Sequence, residues 1–182
     1  MTDFFKINTN LVLRKINMND AEDIFHLIDA NREHLSPWLP FVEMTFSPSN
    51  TKIFIEQLQE PSTHEIVFCM VVDGRTTGLI GYKDIDKINK KLEIGYWIIK
   101  EFEGKGIVTT SCRQMIDKAF AKMAMNRVQI KCGVGNYRSR NIPKRLGFIF
   151  EGIERAGERH NSRYIDLEVY SILKTEWKGQ SF

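Results

Sequence analysis

The stretch "GYWIIKEFEGKGIVTTSCRQMIDKAF", Gly95–Phe120, constrains the fold of this chain more than any other. An apolar run ends in a loop holding Gly104, Lys105 and Gly106. The following residues, from Ile107 to Met125, set Val108, Cys112, Met115, Ala119 and Met123 on one helical stripe. A strand joined by so short a loop to a long amphipathic helix calls for a layered fold, with the helix packed back on the sheet. The loop also brings backbone N–H groups and a helix N-terminus together, which suits an anion. The candidates are a nucleoside triphosphate, a dinucleotide or the pyrophosphate of coenzyme A.

Two of these fail on residue type. A Walker A loop needs Gly-Lys followed by Ser or Thr for magnesium, whereas Lys105 is followed by Gly106. A dinucleotide fingerprint needs a third glycine three residues on, and the chain continues Ile-Val-Thr. A short amide cradle over residues 103–109 remains, and a plain glycine-rich connection would use the same residues.

The rest of the chain supplies the context. Leu11–Ile16 reads as a first strand and residues 19–35 as a helix capped by Asn19 or Asp20. "SPWLPFVE", interrupted by Pro37 and Pro40, reads as loop, and Asn50–Gln59 as a second helix. Strands are expected over Glu65–Val72, Thr77–Asp86 and Lys91–Ile99, the first two joined through "DGRT", a hairpin signal. After the long helix come a strand "RVQIKCGV", a short helix in "SRNIPKRLGF" that ends at Gly147, and strands near Ile149–Arg155 and Tyr164–Leu173. The pattern is that of a mixed-sheet α/β domain. With 182 residues and no linker or repeat, a single domain over 1–182 is expected.

In order along the chain, "EHLSPWLPF", "EIGYWI", "EFEGKGI", "GNYRSRNIPKRLGF" and "EGIERAGERHNSRYIDLEVYSILKTEW" resemble the GNAT superfamily of acetyl-CoA-dependent N-acetyltransferases. Within it they are closest to the ribosomal-protein N-acetyltransferase branch. The superfamily signature is Gln/Arg-x-x-Gly-x-Gly/Ala. Gly104 and Gly106 match it, and Glu101 departs at the first position. The resemblance covers about Arg14 to Trp177. It implies a mostly antiparallel seven-stranded sheet, splayed between its fourth and fifth strands and flanked by about four helices. It also implies acetyl-CoA as co-substrate, direct transfer to an amine without an acyl-enzyme, and no metal.

The same resemblance assigns positions. Trp97, Ile98 and Ile99 would offer main-chain groups to the pantetheine arm; as side chains they read equally as buried sheet residues. Amides of Glu103, Gly104, Lys105, Gly106, Ile107 and Val108 would hold the pyrophosphate, with Thr109 and Thr110 adding hydroxyls in the same turn. Many superfamily members protonate the leaving thiolate with a tyrosine four residues before the Gly-Phe glycine, where this chain has Pro143. The branch uses a serine in Asn-x-x-Ser instead, matched by Asn136 and Ser139. Asn136 would then contact the cofactor arm, and Ser139 stands where a helix cap would also sit. Glu158 aligns with the branch's base, among Arg155, Arg159 and Arg163, which favour its ionised form. Trp38, Leu39 and Phe41 would wall the acceptor site.

A weak base suits a protein N-terminus. At pH 7 roughly a tenth of α-amines are neutral against a few in ten thousand lysines, a difference of about 3.5 kcal/mol. The acceptor expected is thus a ribosomal-type N-terminus, with a small amine such as a polyamine or aminoglycoside as the alternative. A non-catalytic acyl-CoA-binding domain is the rival of another class. The net charge of +3 is spread among acidic residues, which argues against a nucleic-acid surface. Cys69, Cys112 and Cys132 lie in apolar contexts and read as reduced, buried thiols, and no apolar run reaches membrane-spanning length, so a cytoplasmic setting is expected. The four histidines show no ligand spacing. Arg138, Arg140, Lys144 and Arg145 form either a solvated helix face or a lure for a cofactor phosphate. A homodimer is compatible with the chain.

Overall fold

The computed structural model of the chain describes residues 4–179; residues 1–3 and 180–182 of the expected 1–182 domain lie outside these. One sheet of eight strands runs through it: β1 (Phe4–Lys6), β2 (Leu11–Lys15), β3 (Ile66–Val72), β4 (Arg75–Asp86), β5 (Lys91–Ile98), β6 (Arg127–Gly133), β7 (Ile149–His160) and β8 (Arg163–Leu173). Their order in space is β1-β2-β3-β4-β5-β6-β8-β7. The strand beyond the expected seven is β1. It pairs along β2 at the sheet edge, and Phe5 packs on Phe68 with ring centroids 5.0 Å apart.

Six α-helices flank the sheet: α1 (Ala21–Asp29), α2 (Arg32–Leu35), α3 (Phe41–Met44), α4 (Pro48–Gln57), α5 (Ile107–Ala121) and α6 (Tyr137–Arg145). Two differences from the sequence reading raise the count from four. The expected 19–35 helix is divided at Asn31, whose side chain turns back to donate to the Leu27 carbonyl at 2.9 Å. The segment read as loop, Ser36–Glu43, turns helical from Phe41 on, where α3 begins. Its carbonyl end is tied down by Arg32, which donates to Val42 O at 2.6 Å and also to Thr45 O. Asp20 stands at the N-cap of α1, as expected, but its side chain makes no capping bond there. Asn17 caps a 3-10 turn over Met18–Asp20, and Asp20 returns a bond to the Asn17 N–H while pairing with Arg14.

Period-2 alternation sorts the two faces of the sheet. On β5, Leu92, Ile94, Tyr96 and Ile98 face α5 and α6, while Trp97, and Ile99 just past the strand, pack with α1–α4. Helix α5 buries Ile107, Val108, Cys112, Met115, Ile116, Ala119 and Phe120, and Tyr82 on β4 anchors it with a 2.7 Å bond to the Met115 carbonyl. All three cysteines are buried and free.

All neighbouring strands are antiparallel except β5 and β6. These two are parallel and pair only from Lys91–Glu93 to Arg127–Gln129. Beyond Glu93, β5 stays with β4 while β6 follows β8 as far as the Gly133–Leu167 pair. The sheet therefore opens into a V between its fifth and sixth strands. This is the expected splay, counted one higher because of β1.

Candidate active site

The loop between β5 and α5 lies at the mouth of this V. Gly104 and Gly106 adopt left-handed backbone at φ +72° and +76°, and a Cβ at either would meet no atom within 4 Å. The glycines are therefore required by backbone conformation, and the space beside them is open. Gly106 caps α5, whose first bond runs from Thr110 N–H to Gly106 O at 2.9 Å. The amides of Ile107, Val108 and Thr109 are left without an intrahelical acceptor, pointing out of the positive helix end. The side chains of Ile107 and Val108 are buried beneath, so they fix the turn and leave the amides to the opening. Lys105 lies over the Phe102 ring, 4.6 Å from its centroid.

Glu101 and Glu103 turn to different partners. Glu101 is exposed and pairs with Arg75 at 3.0 Å, away from the cradle. Glu103 faces across the mouth, where Arg138 at the start of α6 pairs with it and His34 of α2 lies 3.4 Å away. Burial lowers the His34 pKa, against a bond to the Ile98 carbonyl that raises it. Arg140 turns inward to Glu168 at 3.2 Å. The basic run of α6 is thus not a uniform solvated face; two of its four cations are engaged by carboxylates.

The edge of β5 can be read from one bond. Ile99 N–H donates to Thr77 O on the β4 side at 2.9 Å. Since successive residues alternate, Trp97 turns its backbone groups the same way, whereas Tyr96 and Ile98 present theirs to the V. Of the three strand residues expected to offer main-chain groups, Ile98 turns its own toward the V, where His34 reaches its carbonyl, while Trp97 and Ile99 turn theirs toward β4 and bury their side chains in the second core.

At the throat of the V the cap of α6 is Asn136, whose Oδ1 accepts from the Ser139 N–H at 3.1 Å. Ser139 is therefore not the cap, and its hydroxyl is available for another partner. That partner is Tyr96, with its Oη 3.1 Å from Ser139 Oγ and 3.2 Å from the Ser139 carbonyl. Burial raises the Tyr96 pKa well above that of a free tyrosine. Cys132 on β6 also lies against Ser139, its thiol pushed up to about 11 by burial.

On the opposite face of the sheet, Trp38 crosses the end of β6. A Cβ at Gly133 would come within 3.2 Å of the Trp38 ring and of Ile165 Cδ1, so only glycine leaves room there. Glu158 is the cross-strand partner of Ile165 and so shares this face. Its Oε2 lies 2.8 Å from Nε2 of the buried His160. Nearer the closed end of the V, Glu93 is only 2% exposed. It pairs with Lys83 at 2.7 Å, lies 3.9 Å from Lys131 and accepts from Gln129 at 3.0 Å. Burial pulls the Lys83 pKa down, but the Glu93 carboxylate outweighs it and the net shift is upward. Lys131 also holds Glu154 at 2.7 Å. Leu39 and Phe41 pack into the second core beside Trp38.

Residues 10–149 match the acetyltransferase (GNAT) domain family. The chain is a GNAT acetyltransferase. It is 40% identical to the Bacillus subtilis protein named "Putative ribosomal N-acetyltransferase YdaF", across 96% of this chain and 97% of that one. It is 27% identical to the ribosomal-protein-serine acetyltransferase of Escherichia coli, across 95% and 98%. Among solved structures, the microcin C7 self-immunity acetyltransferase MccE, in complex with acetyl-CoA and AMP, superimposes with a TM-score of 0.89 at 27% identity, covering 95% of this chain and 97% of that one.

In this GNAT enzyme the sequence reading missed Tyr96, Lys83, Glu93 and Lys131. Tyr96 sits inside the quoted motif "EIGYWI" but looks like one more core aromatic until α6 is placed beside it. Glu93 and the two lysines carry no local signal, since alternating charges on strands ordinarily face water. Among the described residues, no cluster of three or more His, Cys, Asp or Glu could hold a metal ion.

Proposed function

We propose that this enzyme transfers the acetyl group of acetyl-CoA to the α-amino group of a protein N-terminus, by direct attack with both substrates bound. The amides of residues 104–109 receive the pyrophosphate at the N-terminus of α5, and the backbone groups of Tyr96 with the N–H of Ile98 face the pantetheine arm in the V. The amine arrives from the face walled by Trp38. Its nitrogen lone pair attacks the thioester carbon, the C–S bond breaks, and the electron pair leaves on sulfur. Glu158 takes the proton released by the amine, and the Ser139 hydroxyl donates a hydrogen bond to the departing thiolate.

The observation that carries the choice of acceptor is the pairing of the carboxylates on this face. Lysines already hold Glu93 and Glu154, while Glu158 has a histidine. A single amine finds one carboxylate to serve it, but a polycation finds no acidic row, and Lys83 and Lys131 oppose it. The kinship with ribosomal acetyltransferases points the same way and makes a ribosomal protein, in the cytoplasm, the natural acceptor.

The test is thiol release from acetyl-CoA with three acceptors: a peptide with free N-terminal serine, the same peptide N-terminally blocked but carrying lysine, and spermidine. The free N-terminal peptide is expected to be acetylated with the highest kcat/KM, the product confirmed by mass spectrometry. Faster turnover of spermidine or of the blocked peptide would overturn the proposal.

A further inference from the structure

We infer that Tyr96 is the positioning residue for the thiolate-facing hydroxyl of Ser139, and that it also takes the place left empty by the N–H that Pro143 lacks. The inference rests on the proposed role of Ser139. In an uninterrupted helix the Ser139 carbonyl would accept the N–H of the residue four positions on. That residue is Pro143, which has no N–H, so the carbonyl is left without its helical donor. The Tyr96 hydroxyl reaches across the V from β5 and fills the place, 3.2 Å from the carbonyl and 3.1 Å from Ser139 Oγ.

The tyrosine has one proton and two acceptors on the same serine. When it donates to the carbonyl, its oxygen can accept from Ser139, and the serine proton is turned inward. When it donates to Oγ, the serine proton is free to point at sulfur. A thiolate selects the second arrangement, and the pair then forms a chain Oη–H to Oγ–H to sulfur in which each bond polarises the next. No proton leaves Tyr96, because its buried site disfavours a phenolate. The Cys132 thiol, protonated at neutral pH, offers no competing negative charge. Of the charged groups that act on Cys132, Arg140 and Glu168 are paired with each other and Glu93 is held by Lys83. This chain thus has a tyrosine hydroxyl at the leaving group's serine although position 143 holds a proline.

The experiment compares calorimetric affinities for CoA and desulfo-CoA at about pH 6 and about pH 9, either side of an ordinary thiol pKa. It uses the parental enzyme, Tyr96→Phe, Ser139→Ala and the double variant. In the parent the preference for CoA over desulfo-CoA should grow as the thiol ionises. Tyr96→Phe should cut that gain by about threefold to tenfold, the size of one hydrogen bond, and the double variant should be no worse than Ser139→Ala alone. A parental gain in Tyr96→Phe while Ser139→Ala loses it would overturn the positioning role and leave Ser139 standing. Additive losses would also overturn it. A parental gain in Ser139→Ala would instead refute the role of Ser139 itself. Pro143→Ala keeps both hydroxyls and returns an N–H to the carbonyl. It should retain the full gain, and a loss as large as that of Tyr96→Phe would contradict the inference.

Discussion

Gly106 offers the cleanest test of the anion cradle, because conformation and charge can be separated there. Its φ of +76° is costly for most side chains, by about 1–2 kcal/mol, but asparagine and aspartate tolerate it best. A Cβ meets nothing within 4 Å, so neither residue clashes. Gly106→Asn and Gly106→Asp are nearly isosteric and differ by one negative charge at the N-terminus of α5. Against one phosphate charge at about 6 Å, that difference is worth about 0.7 kcal/mol if water fills the gap and about 3 kcal/mol at an effective dielectric near 20. The Asp variant should therefore bind acetyl-CoA roughly threefold to a hundredfold more weakly than the Asn variant. The gap should narrow with added salt, as screening requires. Thermal unfolding should rank them the other way or equal, since an acidic residue at a helix N-terminus is stabilising. Calorimetry at low and high salt reads both numbers. Equal affinity of the Asp and Asn variants at low salt would refute the placement of the pyrophosphate on these amides.

Further outcomes follow from other parts of the site. Glu158→Gln should lower turnover at pH 7 by roughly 10²–10⁴-fold and recover as the pH passes the acceptor's own pKa, near about 8 for an α-amine; parental activity at pH 7 would remove Glu158 from the mechanism. Gly133→Ala should push Trp38 out of place and raise KM for the peptide while leaving acetyl-CoA affinity within about twofold, the scale of a few tenths of a kcal/mol. Asn136→Ala should cost about 1 kcal/mol of stability as a lost cap and Ser139→Ala less, read by chemical denaturation; the reverse order would contradict the observed capping bond. The Arg127 guanidinium, with help from Ser171, holds Glu151 down to about 2, below its ordinary value near 4.5. A depressed carboxylate stabilises the fold above its unfolded pKa and loses that contribution as pH falls toward the folded one. Glu151→Gln should therefore melt lower than the parent at pH 7, and the difference should shrink between about pH 4.5 and about pH 2.

Much of this protein is local enough to be read from residues in order. Gly104 and Gly106 mark the turn into α5 because left-handed backbone before a helix leaves few other choices. The stripe on α5 follows from a period of 3.6, and the Asp73–Gly74 hairpin between β3 and β4 from turn chemistry. What stayed hidden depends on partners distant in the chain. The division at Asn31 and the short α3 come from side-chain bonds to carbonyls, made by Asn31 and Arg32, that outweigh the helical period and the proline signal. Ser139 reads as a cap in the sequence, and only the fold gives that bond to Asn136 and frees the hydroxyl. Tyr96 and Ser139 are 43 residues apart and meet because β5 and β6 part while α6 closes over the gap. Glu93, a charged residue in an alternating strand, reads as solvent-facing; it is buried among Lys83, Gln129 and Lys131 of the neighbouring strands and tolerated because the two lysines flank it. Sequence period and backbone conformation fix what each segment is, since those forces act between near neighbours. Which hydroxyl meets which serine, and which carboxylate pairs with a histidine instead of a lysine, is settled only when the sheet opens and its two faces are covered.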